Sequence, residues 1–196
     1  MFSGIIQELG TIKKIQQSPR GMELFIVAPH ILRRVKAGSS VAVNGVCLTV
    51  ASKTSRLLKF IVMQETLKCT TLAHARAGTK VGLEPSLRAG EEIGGHFVYG
   101  HIDGRARVME LKKASGSLVM TLSATKDLLK YMIMKGTIAI DGVSLTIMRL
   151  SRGTFAVSLL RQTLDLTSLG EKRERDEVNI EVDMINKFLM ERCAPK

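Results

Sequence analysis

The same ordered series of segments occurs twice in this chain, 97 residues apart, and no other feature limits its architecture so tightly. NGVCLTV (Asn44–Val50) returns as DGVSLTI (Asp141–Ile147). QETLKCTTL (Gln64–Leu72) returns as RQTLDLTSL (Arg161–Leu169), and VGLEPS (Val81–Ser86) as VNIEVD (Val178–Asp183). Under the same spacing SGII (Ser3–Ile6) falls on GHID (Gly100–Asp103). A period met only twice means duplicated domains and not a solenoid. A length of 196 residues suits two small domains.

Within each half, short apolar stretches alternate with Gly, Ser, Asn or Lys-Arg punctuation: Gly4–Ile15, Gly21–Val27, Ser40–Asn44, Val46–Ala51, Leu57–Met63 and Thr79–Glu84. Many are rich in Val, Ile and Thr, and short strands separated by turn signals predict an all-β sandwich or small barrel. Only Ala28–Val35 and Thr66–Ala77 read as helical in the first half. The division predicted is a first domain over 1–86, a Gly-rich charged linker over 87–96, a second domain over 97–183 and a helix over 184–196. Asp183 stands as that helix's N-cap, and Met184, Ile185, Phe188 and Leu189 share one face. Such a face packs on another subunit or folds back on its own barrel.

Composition narrows the function. No apolar run reaches the roughly 20 residues of a membrane helix, and the amino terminus lacks a basic region followed by a cleavage site. Cys47, Cys69 and Cys193 form no C-x-x-C pair, which argues against a disulfide framework or structural zinc and suits a reducing, cytoplasmic compartment. Twenty-nine Lys and Arg against 18 Asp and Glu give +11. These cations are scattered and aromatics make up only 4% of the chain. A single-strand nucleic-acid groove needs stacking platforms beside its cations, so no nucleic-acid partner is expected.

Positions where the halves differ carry the chemical information. Under the 97-residue spacing Cys47 faces Ser144, Gly4 faces His101 and Asn44 faces Asp141, while Leu48, Thr49 and Thr66 recur as Leu145, Thr146 and Thr163. Cys47 and Thr49 share one strand face, as do Ser144 and Thr146, and each pair would face the core or a pocket. Burying those groups unpartnered is costly, so a polar ligand in each half is expected. GGHFVYGHIDG (Gly94–Gly104) carries His96 and His101; on a strand they would point to opposite faces, which argues against a shared metal. Imidazole is the usual general acid or base at neutral pH.

MFSGII, NGVCLTV, GGHFVYGHIDG and IDGVSLTI, in that order, resemble the riboflavin synthase α-chain family, and the resemblance runs from Met1 to about Asp183. It implies two closed six-stranded Greek-key β-barrels and a carboxy-terminal helix that assembles a homotrimer. It implies a transferase needing no cofactor or metal. Two molecules of 6,7-dimethyl-8-ribityllumazine exchange a four-carbon unit, giving riboflavin and 5-amino-6-ribitylaminouracil. Carried over, Gly4, Ile5, Ile6, Cys47, Leu48, Thr49, Ile61, Val62, Met63, Gln64, Glu65 and Thr66 match the first substrate pocket. His101, Ile102, Asp103, Lys135, Ser144, Leu145, Thr146, Ser158, Leu159, Leu160, Arg161, Gln162 and Thr163 match the second. Ser40, Cys47, His101, Ser144 and Asp183 match positions implicated in catalysis, Thr146 is a further candidate nucleophile, and Phe2 matches a residue needed near the amino terminus. Arg161 and Gln162 depart from the Pro-Glu type pair usual there. A non-catalytic lumazine carrier of the same fold is the alternative; the presence of Cys47, His101, Ser144 and Thr146 together favours the enzyme.

Overall fold

The computed structural model describes residues 1–19 and 21–193, so the last three residues of the expected carboxy-terminal helix lie outside the described residues. Strands β1 (Glu8–Ser18), β2 (Gly21–Val27), β3 (Ser40–Val43), β4 (Val46–Lys53), β5 (Leu58–Met63) and β6 (Lys80–Pro85) close into an antiparallel barrel in the order β1-β2-β5-β4-β3-β6. Strands β7 (Gly104–Ala114), β8 (Ser117–Ser123), β9 (Thr137–Ile140), β10 (Val143–Ser151), β11 (Thr154–Leu160) and β12 (Glu177–Val182) close in the same permutation. Closure removes the unpaired edges that would otherwise invite association. Helices are short: α1 (Gln64–Cys69), α2 (Lys126–Leu129), α3 (Arg161–Leu166) and α4 (Met184–Cys193). Among the described residues, no helix is long and apolar enough to cross a membrane.

Strict alternation builds each core. On β4, Val46, Leu48 and Val50 point inward and are buried, while Cys47 and Thr49 point outward; Val143, Leu145 and Ile147 of β10 repeat this. β1 and β7 each carry a register shift, at Ile12/Lys14 and Val108/Glu110, where a bulge bends the strand round the barrel corner. The first-half stretches expected to be helical are broken. Ile31–Arg33 and Thr71–His74 form single 3-10 turns, and α1 ends at Cys69 because Thr70 adopts an extended backbone.

The barrels meet about an approximate two-fold axis. The Asn44-Gly45 and Asp141-Gly142 hairpin turns have left-handed backbones, and a Cβ on Gly45 would lie 2.6 Å from Gly142 N. The Asn44/Asp141 difference therefore belongs to this seam and not to a reactive site. The Asn44 Oδ1 accepts from Gly82 N at 2.6 Å, and the Asp141 Oδ1 accepts from Asn179 N at 2.8 Å. Asp141 also pairs with Lys172 at 3.0 Å. Asn179 Nδ2 crosses the seam to donate to Asn44 O.

Candidate active site

Each barrel has one opening in its ladder. β4 and β5 pair from Val50↔Phe60 to Lys53↔Leu58 and splay apart before Val50, while β10 and β11 pair only from Ile147↔Val157 onward. The openings lie between Cys47–Thr49 and Ile61–Met63 in the first barrel, and between Ser144–Thr146 and Ser158–Leu160 in the second. Because backbone direction alternates along a strand, Cys47 and Ser144 turn their N–H groups into these gaps. Leu48, Val62, Leu145 and Leu159 are core residues, 0–9% exposed. Their side chains point into the barrels, so their contribution to a ligand is limited to the backbone. Thr49, Met63, Gln64 and Glu65, and Thr146, Ser158, Leu160, Arg161 and Gln162, are exposed around the two openings; Ile61, Thr66 and Thr163 are half-buried.

What fills each gap comes from the opposite half. Cys47 N donates to Gly100 O at 2.9 Å, and Ser144 N donates to Gly4 O at 2.8 Å. A Cβ on Gly100 would stand 2.6 Å from the Cys47 Cβ, and one on Gly4 would stand 2.6 Å from the Ser144 Cβ, so both positions need glycine for close approach. Ile102 packs against the first core and Ile6 against the second. The expected grouping is therefore exchanged. The Gly4–Ile6 arm completes the Ser144 site of the second barrel, and His101 and Ile102 complete the Cys47 site of the first.

The spacing also needs correcting. Gly4 and Gly100 have φ of 77° and 78° and make equivalent contacts, so the arms correspond at 96 residues and not 97. Strands β2 and β8 keep the 96-residue offset; by β3 and β9 it has become 97. The extra residue enters between β8 and β9, where α2 replaces the shorter Ile31–Arg33 turn. The true counterpart of exposed His101 is Ile5, also exposed, and not Gly4.

Several expected site residues turn out to hold the frame. Phe2 is completely buried between the barrels with Ala42, Val98 and Ala139, and its backbone bridges Val98 in both directions at 2.7 and 3.0 Å. It ties the segments leading into both arms together, and Cys47 packs on the same cluster. Asp103 accepts from Val182 N at 2.9 Å and from Lys187 Nζ at 2.6 Å, so its carboxylate is committed to β12 and α4. Asp183 caps α4 by accepting from Ile185 N and takes a second bond from the Thr137 hydroxyl. Its counterpart in the first half is Ser86, whose N–H donates to Ser40 O. Ser40 pairs with Thr49 in the ladder as Thr137 pairs with Thr146. Lys135, exposed, holds a left-handed φ of 66° where Gly38 stands in the first half. Arg161 is bound to Asp165 at 3.0 Å, one turn along α3.

Two features were not among the expected site residues. The first is His96, whose Nδ1 lies 2.7 Å from the Ser144 hydroxyl. Burial lowers its pKa while the Asp183 charge raises it, and the first effect wins. A neutral imidazole thus sits against Ser144. His96 and His101 lie at different barrels because the chain crosses between them after His96: His96 meets Ser144, while Gly100, next to His101, meets Cys47. The second is a pair of carboxylates, Glu84 and Glu181, both buried, that receive the arms. Ser3 N, Ser3 Oγ and Gly4 N donate to Glu84, and Tyr99, Gly100 and His101 N donate to Glu181. The 440 Å³ cleft between the barrels is lined by Asn44, His74, Lys80 and Lys172 and by no residue of either opening. Among the described residues, no group of three or more His, Cys, Asp or Glu is placed to hold a metal.

Two barrels of one topology, each with an opening in its ladder bordered by an arm of the other half, define a duplicated binding-domain protein with two related candidate sites. Comparison gives that class its name: the lumazine binding domain family matches residues 3–86 and again 99–183. Riboflavin synthase of Bacillus subtilis (strain 168) is 42% identical over 96% of this chain and 88% of its own length. Those of Chlamydia pneumoniae and Schizosaccharomyces pombe are 43% and 37% identical, over 92% and 91% of their lengths. The chain belongs to the riboflavin synthase family, a family of enzymes. Its fold also matches LumP in complex with 6,7-dimethyl-8-(1'-D-ribityl) lumazine, with a TM-score of 0.85 at 29% identity over 93% of this chain and 99% of that one. A LumP structure with riboflavin gives 0.87.

Proposed function

We propose that this chain converts two molecules of 6,7-dimethyl-8-ribityllumazine into riboflavin and 5-amino-6-ribitylaminouracil by transfer of a four-carbon unit. The observation that carries the reading is the pair of related but unequal openings. Donor and acceptor begin as one compound, so two similar sites are required. They meet different fates, so the sites must differ in reactive groups: Cys47 with His101 at one, Ser144 with His96 at the other.

The openings offer unpaired strand edges to a flat heterocycle, while the exposed hydroxyls of Thr49, Thr146 and Ser158 suit a ribityl chain. His101 assists removal of a proton from the 7-methyl group of one lumazine. Ser144, Thr146 or a water adds transiently to the other ring, and neutral His96 can take the Ser144 proton as it does so. Cys47 positions its partner and need not attack. Thr49, Met63, Thr146, Ser158 and Leu160 are exposed around the two openings. We therefore assign the reaction to the meeting of the first barrel of one subunit with the second barrel of its neighbour in a homotrimer. Stacking the two rings there supplies acceleration through proximity. Exposed Ile185, Phe188 and Leu189 on α4 support such an assembly, since their own barrel leaves them uncovered. The free thiols of Cys47 and Cys69 suit a cytoplasmic, reducing location.

Incubating the purified protein with the lumazine alone tests the reading. Riboflavin should appear at half the molar amount of lumazine consumed, and His101→Gln should slow it by roughly a hundredfold. Tight binding without riboflavin would mean a carrier, and neither would leave only the fold.

A further inference from the structure

Glu84 and Glu181 occupy matching places on β6 and β12, 97 residues apart, each between buried or half-buried neighbours near the end of its strand. Both are 3% exposed. A buried carboxylate is retained at little net cost only where donors surround it, and each of these has three. Those of Glu181 are the consecutive backbone N–H groups of Tyr99, Gly100 and His101, at 2.6, 2.7 and 3.0 Å. Three successive amides converging on one anion fix the intervening peptide planes. They aim Gly100 O at Cys47 N and hold the His101 backbone at the edge of the first barrel's opening.

We propose that Glu181, a residue of the second barrel, is the positioning residue for His101 at the first barrel's site, and that Glu84 does the same for the Gly4–Ile6 arm at the second. Each barrel's last strand thereby sets the geometry of the other barrel's site. This deepens the catalytic reading above and rests on it for its kinetic arm. Gln cannot substitute for Glu181. Its amide nitrogen would face an N–H instead of accepting from it, so at least one clamp bond is lost and the arm is released. The carboxylate touches no reacting atom, which separates its role from that of His101.

The test compares the native protein with Glu181→Gln, His101→Gln and the double variant. Glu181→Gln should lower kcat roughly tenfold or more with KM changed much less. The double variant should be no slower than His101→Gln alone, since the kinetic effect proposed for the clamp is exerted through that imidazole. Multiplying losses in the double variant, or an unchanged kcat in Glu181→Gln, overturns the proposal. A readout without turnover is the imidazole NMR spectrum, in which Glu181→Gln should move or broaden the His101 resonance and leave those of His30 and His74 in place. An unmoved His101 signal overturns the proposal even if the native protein makes no riboflavin; that latter failure overturns the catalytic reading instead. Should Glu181→Gln not fold, Glu181→Asp withdraws the same charge by one methylene and is read in the same way.

Discussion

Cys47 and Ser144 stand at equivalent points of two equivalent strands, yet their neighbours differ. Each is covered by a glycine from the opposite half, but only Ser144 also meets an imidazole, because the segment leading into the second arm passes over it. Among the described residues, no imidazole is hydrogen-bonded to the thiol of Cys47, whereas the segment that carries His96 joins the two halves and lies against Ser144. The inequality of the sites is therefore a consequence of chain connectivity as much as of substitution. His96 should also leave a mark on stability. Burial holds its folded pKa below the unfolded value of about 6.5. The unfolded chain then binds the proton more readily, and stability falls as pH drops through about 6.5. Glu181, raised to about 7, acts in the opposite sense, losing stability as pH rises from its ordinary 4.5. In His96→Asn the Glu181 contribution is unchanged and the His96 loss is removed, so on acidification from about pH 7.5 to about pH 5.5 the variant's melting temperature should rise relative to that of the native protein.

At the scale of elements, strands were legible and arms were not. Alternation and the Asn-Gly and Asp-Gly turns are local signals, so the pattern predicts Gly21–Val27 at its observed bounds and β3 to β6 within two residues. The first predicted strand began at Gly4, but β1 begins at Glu8, because Glu84 draws Ser3 and Gly4 off the ladder toward the other barrel. That is a tertiary effect with no local trace. The one-residue slip was hidden for a similar reason: SGII and GHID both contain glycine and isoleucine, so the wrong register still looked like a match. The two glutamates do leave a signal, an acid at the same place in both copies of the repeated segments VGLEPS and VNIEVD. The α4 face carries its own prediction. Phe188 is 58% exposed, so Phe188→Asp should leave each subunit folded, while sedimentation should show a trimer reduced to smaller species.

At the scale of the molecule, the seam decides whether the halves behave as one body. Gly45 and Gly142 meet across it with positive φ and no room for a side chain. Gly45→Ala should cost roughly 2 kcal/mol or more from backbone strain and crowding, and thermal unfolding should remain a single transition at a lower temperature. Two separated transitions would mean that the barrels melt independently although Asn179 Nδ2 donates to Asn44 O and Asn179 Oδ1 accepts from Thr71 N across the seam.

The crossed arms have one more consequence. An arm that leaves its own barrel to finish a neighbour's is the geometry of a swapped dimer, here written into a single polypeptide. Two free copies of an ancestral barrel could already have exchanged arms, and fusion then needed only a connecting segment. Once fused, each copy became free to specialise, but not alone. A change at Cys47 is judged by Gly100, and a change at Ser144 by Gly4 and His96. Correlated substitution among relatives should accordingly link positions across the two halves more strongly than positions within one.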